Sequence, residues 1–142
     1  MAHARTHVAD SLRETTRIVF TAQSAKNFHQ RMLICKHAFE EGVTPINPFT
    51  NFGYYLYELV DRNLVRQGNN NLVRIADELW VYGDISDGII SEIRYARQLK
   101  KPIRYFDISH LPDPPIPALL QDLPFEPNIT DDKDRLITEL VS

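Results

Sequence analysis

Residues Ala76–Phe106 read ADELWVYGDISDGIISEIRYARQLKKPIRYF, and this stretch decides the fold. Glu78–Tyr82 is a short apolar run without polar alternation, as expected of a strand covered on both faces in a parallel sheet. Gly83–Ser86 reads as a loop and Asp87–Lys100 as a helix, with Ser86 where an N-cap belongs. Lys101-Pro102 then opens a second strand, Ile103–Phe106. Two strands joined through a helix form the parallel crossover unit.

The same pattern extends toward the N-terminus. Arg17–Ala22 (RIVFTA) predicts another buried strand. Ser24–Gly42 predicts a helix, capped by Ser24 and closed by Gly42, with Phe28, Met32, Cys35, Ala38 and Phe39 as its apolar face. Val43–Asn47 is a further strand, ended by Pro48. Pro48–Tyr57 (PFTNFGYYLY) reads as an aromatic loop. Leu56–Ala76 is helical in character but contains Gly68-Asn69-Asn70-Asn71. Four weak helix formers cost about 2–3 kcal/mol against alanine, so either the helix breaks there or those side chains have a task.

Four strands alternating with three helices predict an α/β fold: an open, mostly parallel sheet of four to five strands with helices on both faces. Residues 1–16 read as a polar tail or loose helix, 17–108 as the α/β domain, and 109–142 as a Pro-rich arm. That arm holds six prolines between His110 and Pro127, which exclude a long helix or a central strand. It ends in a short amphipathic helix, Asp131–Val141, with Leu136, Ile137, Leu140 and Val141 on its apolar side, and packs on its own domain or on a partner subunit.

Composition narrows the function. The chain has 142 residues, 43% hydrophobic and 25% charged, with a net charge of −3, values typical of one soluble globular domain. With no basic excess, binding to polymeric nucleic acid through its backbone is not expected. The single cysteine, Cys35, excludes an intrachain disulfide and reads as a small buried hydrophobe rather than a catalytic thiol. No apolar run reaches membrane-spanning length and no apolar signal core is present, so a soluble, cytoplasmic protein without membrane contact is expected. His29 and His37 lie eight residues apart on one helix without an accompanying acidic or cysteine cluster, so no metal is expected. No GxGxxG, P-loop or GxSxG motif is present, and no cofactor is expected.

In open parallel sheets ligands bind beyond the carboxyl ends of the strands, where Thr21–Ser24, Asn47–Tyr55 and Gly83–Gly88 should converge. Ser86 would cap the helix there, with Asp84 and Asp87 flanking it, and helix-dipole compensation alone is also a sufficient reason for those acids. Glu92 lies about one and a half turns into the helix and leans back over Gly88, the residue four before it. Glycine is a poor first-turn choice, yet it leaves open space beside a carboxylate. Such a carboxylate can attack the anomeric carbon of a sugar while a second acid assists the leaving group, or bind ribose hydroxyls without chemistry. Gln23 and Ser24 are candidates to hold a phosphate or base, Phe49, Phe52, Tyr54 and Tyr55 to stack on a base, and Asn69–Asn71 to reach the crevice.

On these residues, Ala76–Phe106 resembles the nucleoside 2-deoxyribosyltransferase-like superfamily, closest to its short bacterial and phage members, and Arg17–Pro48 follows the same pattern more weakly. The resemblance implies a flavodoxin/Rossmann-like fold and a homodimer or higher oligomer. It implies cleavage or transfer of the N-glycosidic bond of a nucleoside or nucleoside 5′-monophosphate. It implies that Glu92, in Glu92-Ile93-Arg94-Tyr95-Ala96, is the nucleophile, with Asp87, or less readily Asp84, as acid or base contact, and Asn69 or Asn71 lining the site. The alternatives are a nucleotide-binding or sequestering protein without turnover, prompted by Thr21-Ala22-Gln23-Ser24 where relatives carry a glycine-rich turn, and a TIR-like enzyme that cleaves NAD.

Overall fold

The computed structural model describes residues 5–53 and 56–142. It contains five strands: β1 (Ile18–Gln23), β2 (Thr44–Ile46), β3 (Glu78–Tyr82), β4 (Ile103–Asp107) and β5 (Ile116–Ala118). The α-helices among the described residues are α1 (Arg31–Glu40), α2 (Pro48–Phe52), α3 (Leu56–Leu59), α4 (Arg62–Ile75) and α5 (Asp87–Gln98) between the strands, and α6 (Lys133–Val141) after the last of them. The sheet order is β2-β1-β3-β4-β5, the flavodoxin-like order. β1 pairs in parallel with β2 and β3, β3 pairs in parallel with β4, and β5 closes the edge antiparallel to β4.

Strand alternation explains the two cores. Phe20, Ala22, Leu79 and Val81 point to one face, where Ile89, Ile93 and Ala96 of α5 and Val73 of α4 cover them. Val19, Trp80, Tyr82 and Phe106 point to the other, against Ile34 and Ala38 of α1. β3 is buried along its length and β1 from Val19 onward, which is why their sequences show no polar alternation. The sharp turn out of β3 depends on Gly83, which has φ +78°, and whose missing Cβ would lie 2.7 Å from Ile108.

The arm is part of this core. Leu120, Leu123, Leu136 and Leu140 are each at most 4% exposed and join the cluster around α5. β5 forms within the Pro-rich segment and sits at the sheet edge, where proline is tolerated.

Several expectations are corrected. The helix after β1 does not run evenly from Ser24: Ala25–Gln30 is a 3-10 segment kinked at Asn27, and the α-helix begins at Arg31. Its buried face is Ile34, His37 and Ala38, while Met32 and Phe39 are exposed. Its apolar residues are spread around the axis, so spacing alone could not select the face. Pro48–Phe52 is a helix rather than a loop, because Asn47 caps it by accepting from the N–H groups of Phe49 and Thr50 and proline occupies its first turn. The helical break falls before Arg62, where Asp61 caps α4, and not at Gly68–Asn71, through which α4 runs unbroken. Gly68 has a packing reason: a Cβ there would lie 3.4 Å from the Phe52 ring. In α6, Leu136 and Leu140 are buried but Val141 is 51% exposed. Residues Val8–Ser11 of the polar N-terminal stretch form a 3-10 turn.

Candidate active site

The carboxyl ends of β1 and β3, the start of α2, the first half of α4 and the start of α5 surround one cleft. Its larger part, about 540 Å³, is lined by Gln23, Pro48, Phe49, Asp87, Gly88 and Glu92, and on the α4 side by Arg66, Asn69 and Asn70. A recess of about 380 Å³ shares Gln23, Phe49, Gly88 and Glu92 and adds Ser86, Glu58 and Arg62. Both volumes suit small molecules. The site lies at the point where strand order reverses between β1 and β3.

Glu92 is the wall common to both parts. As a residue it is half-buried, but its Oε2 atom is out of contact with solvent and has no hydrogen-bond partner among the described residues. Burial pushes its carboxyl up to about 8, and a hydrogen bond from the Asn69 side chain partly opposes the shift. Gly88 leaves space beside it: a Cβ there would meet only Ser86 Oγ, at 3.9 Å. Burial therefore favours the neutral form of Glu92 at the cleft wall, and one of its oxygens has no partner among the described residues. A strongly perturbed carboxyl in a cleft makes Glu92 a functional-site candidate.

The surrounding groups are fixed by hydrogen bonds. Ser86 caps α5, its Oγ accepting from Ile89 N at 3.3 Å. Asn47, which the sequence reading did not select, donates from Nδ2 to Gln23 Oε1 at 2.8 Å and to Thr21 Oγ1 at 3.0 Å. Gln23 Nε2 donates to the Asn27 carbonyl at 2.6 Å, so Gln23 lines the cleft with its amide already engaged. Phe49 meets Phe28 edge-to-face at 5.5 Å between ring centres, which holds its ring at the cleft wall.

The arm fixes the loop before α5. Ile85 N donates to the Pro124 carbonyl at 2.8 Å, and Glu126 N donates back to the Ile85 carbonyl at 2.9 Å. Asn128 Nδ2 donates to Asp87 Oδ2 at 3.2 Å, orienting one face of that carboxylate.

Of the predicted residues, Glu92, Asp87, Gly88, Ser86, Gln23, Phe49 and Asn69 line the cleft. Four do not. Asp84 is ion-paired with Lys26. Ser24 donates its hydroxyl to Glu126 and also caps the following turn. Phe52 packs toward Gly68. Asn71 is exposed, with its Oδ1 accepting from Arg74 Nη2 at 3.2 Å, because two residues along a helix turn it about 200° from Asn69. Tyr54 and Tyr55 lie outside the described residues. Asn70, a candidate together with its neighbours, also lines the cleft, whereas the sequence reading missed Arg62 and Arg66, which look like solvated helix surface until the fold turns them toward it.

The remaining reactive groups are elsewhere. Cys35 is half-buried, and burial pushes its thiol up, away from the thiolate form. His37 is in the core, its Nδ1 2.8 Å from Tyr82 Oη. Among the described residues no three His, Cys, Asp or Glu side chains cluster to hold a metal ion. No helix among them is long and apolar enough to cross a membrane.

No curated protein matches this chain. Among solved structures, that of a 2-deoxyribosyltransferase from the psychrotolerant bacterium Bacillus psychrosaccharolyticus is similar at 16% identity and a TM-score of 0.49, over 84% of this chain and 95% of that one. The sequence profile of a family described as a domain of unknown function, DUF7768, matches residues 18–106. That match runs from β1 into β4 and covers more than half of the protein, so this chain belongs to the DUF7768 family.

Proposed function

We propose that this protein binds a nucleoside or nucleotide in the cleft and breaks its N-glycosidic bond through Glu92. The observation that carries this reading is the buried Glu92 carboxyl, with an unpartnered oxygen, at the junction of two ligand-sized recesses. The resemblance of Glu92-Ile93-Arg94-Tyr95-Ala96 to the deoxyribosyltransferase-like pattern gives that carboxyl its role.

In the first step Glu92 gives its proton to solvent or to Asp87, and its ionised oxygen attacks C1′. The new O–C1′ bond forms as the C1′–N bond breaks, and the bonding pair leaves with the base. A proton reaches the departing nitrogen from solvent or from Asp87, at the same wall. Water or a second base then attacks C1′ and releases Glu92, giving hydrolysis or transfer. Phe49 offers a face for the base, and Asn69 and Asn70 offer amide donors and acceptors. The dry surroundings that favour the neutral form of Glu92 at rest also strengthen its attraction, once ionised, for the positive charge developing on the sugar.

The test is incubation with the common nucleosides, 2′-deoxynucleosides, their 5′-monophosphates and NAD, followed by chromatography for free base and nicotinamide. The expected result is base release from a nucleoside or nucleotide and none of nicotinamide. Tight binding with every ligand recovered intact would replace this reading with a binding protein. Nicotinamide release would replace it with NAD cleavage.

A further inference from the structure

Helix α4 starts with an unfavourable choice. Arg62 occupies its first position, where a cation opposes the helix dipole, and no acidic residue follows within the first turn. Arg66 comes one turn later, on the same side. Arg62 lines the recess beside Ser86, and Arg66 lines the larger part of the cleft beside Asn69. Among the described residues neither forms an ion pair. Arg66 donates once, from Nη1 to Asn63 Oδ1 at 2.9 Å, which leaves the rest of its guanidinium fork available. Glu58 lines the same recess as Arg62 without reaching salt-bridge distance.

Two unpaired guanidinium groups, set at a helical cost on the wall of a cleft, fit a ligand with a compact, multiply charged oxyanion. Arginine forks match phosphate in a bidentate way, and a phosphate monoester carries nearly two charges at pH 7. We infer that Arg62 and Arg66 form a phosphate subsite, making the ligand of this cleft a nucleoside 5′-monophosphate and not the free nucleoside. This inference rests on the function proposed above and specifies its substrate class. The sugar lies between the two recesses against Glu92, and the 5′-phosphate turns toward α4.

Binding can be measured apart from turnover in the Glu92→Gln protein by titration calorimetry. The probes are the common nucleosides and 2′-deoxynucleosides, their 5′-monophosphates and inorganic phosphate. The expected result is that at least one monophosphate binds about tenfold or more tightly than its nucleoside, with the advantage shrinking as salt is raised. Arg62→Gln/Arg66→Gln should remove that advantage and leave nucleoside affinity within about twofold, while Arg62→Lys/Arg66→Lys should keep part of it. Each single variant should lose part of the preference, which keeps the test open if the double variant folds poorly. Equal affinity for nucleoside and monophosphate, or a preference that survives Arg62→Gln/Arg66→Gln, overturns the phosphate subsite but leaves the glycosidase reading standing. Failure of all probes to bind overturns both.

Discussion

Glu92→Gln will be a more stable and an inactive protein. Glutamine preserves the shape of the side chain and cannot attack C1′, so base release should fall by about 10³-fold or more. The stability change follows from linkage. The carboxyl titrates near its ordinary 4.5 in the unfolded chain and near 8 in the folded protein. Below pH 4.5 both states are protonated, and Glu92 has no effect on the balance. Between about 4.5 and 8 only the unfolded chain ionises, which favours unfolding progressively as the pH rises. Glu92→Gln removes that penalty. Its stability should match wild type near pH 4 and exceed it at pH 8 by between about 2 and 4 kcal/mol, measured by urea denaturation at the two values. A side chain that weakens the fold at working pH while facing a cleft is the trade between stability and function expected of an active-site acid.

Leu136→Ala together with Leu140→Ala should bring the protein close to unfolding. Both leucines are almost fully buried against the α5 side of the sheet, although they come from the last helix of the chain. Each truncation removes apolar burial and leaves a cavity, at about 2–5 kcal/mol apiece, against a total stability of about 5–15 kcal/mol for a domain of this size. At roughly 3–5 °C per kcal/mol, the double variant should melt at least about 12 °C below wild type by circular dichroism. Val141→Ala, on the exposed side of the same helix, should melt within about 2 °C of wild type. If the double variant also melts near wild type, the arm does not dock as described. Loosening the arm should weaken ligand binding as well, because Pro124–Asn128 holds Ile85 and Asp87 in place.

The parts legible in the sequence were those where one signal had no competitor. β1 and β3 are short, continuous apolar runs, and their burial on both faces leaves no other reading. Helix α5 announces itself by Ser86 at its cap and by Ile89, Ile93 and Ala96 on its inner side, and Glu92 follows by counting from Gly88. Elsewhere local rules met tertiary contacts. Gly68–Asn71 has weak helix propensity, but Val65 and Val73 anchor α4 on the core and the Asn69 side chain reaches Glu92, so the helix persists. Met32 and Phe39 are as apolar as Ile34 and Ala38, and only the packing on β1 and β4 shows which pair is inside. Ser24 and Asp84 were well placed at the right sheet edge, but Glu126 and Lys26 occupy them, and neither partner is near in sequence. Arg62 and Arg66 show the opposite failure. On a helical wheel they are ordinary exposed cations, and only the position of α4 over the carboxyl ends of the strands makes them part of the site.

The central claim is that Glu92 itself attacks the sugar. Its most direct test is mass spectrometry of the protein quenched during turnover on the nucleoside or nucleotide that releases base. The account predicts a peptide spanning Glu92 heavier by one sugar residue, present in wild type and absent in Glu92→Gln. An adduct on any other side chain, or base release by Glu92→Gln at the wild-type rate, would contradict it.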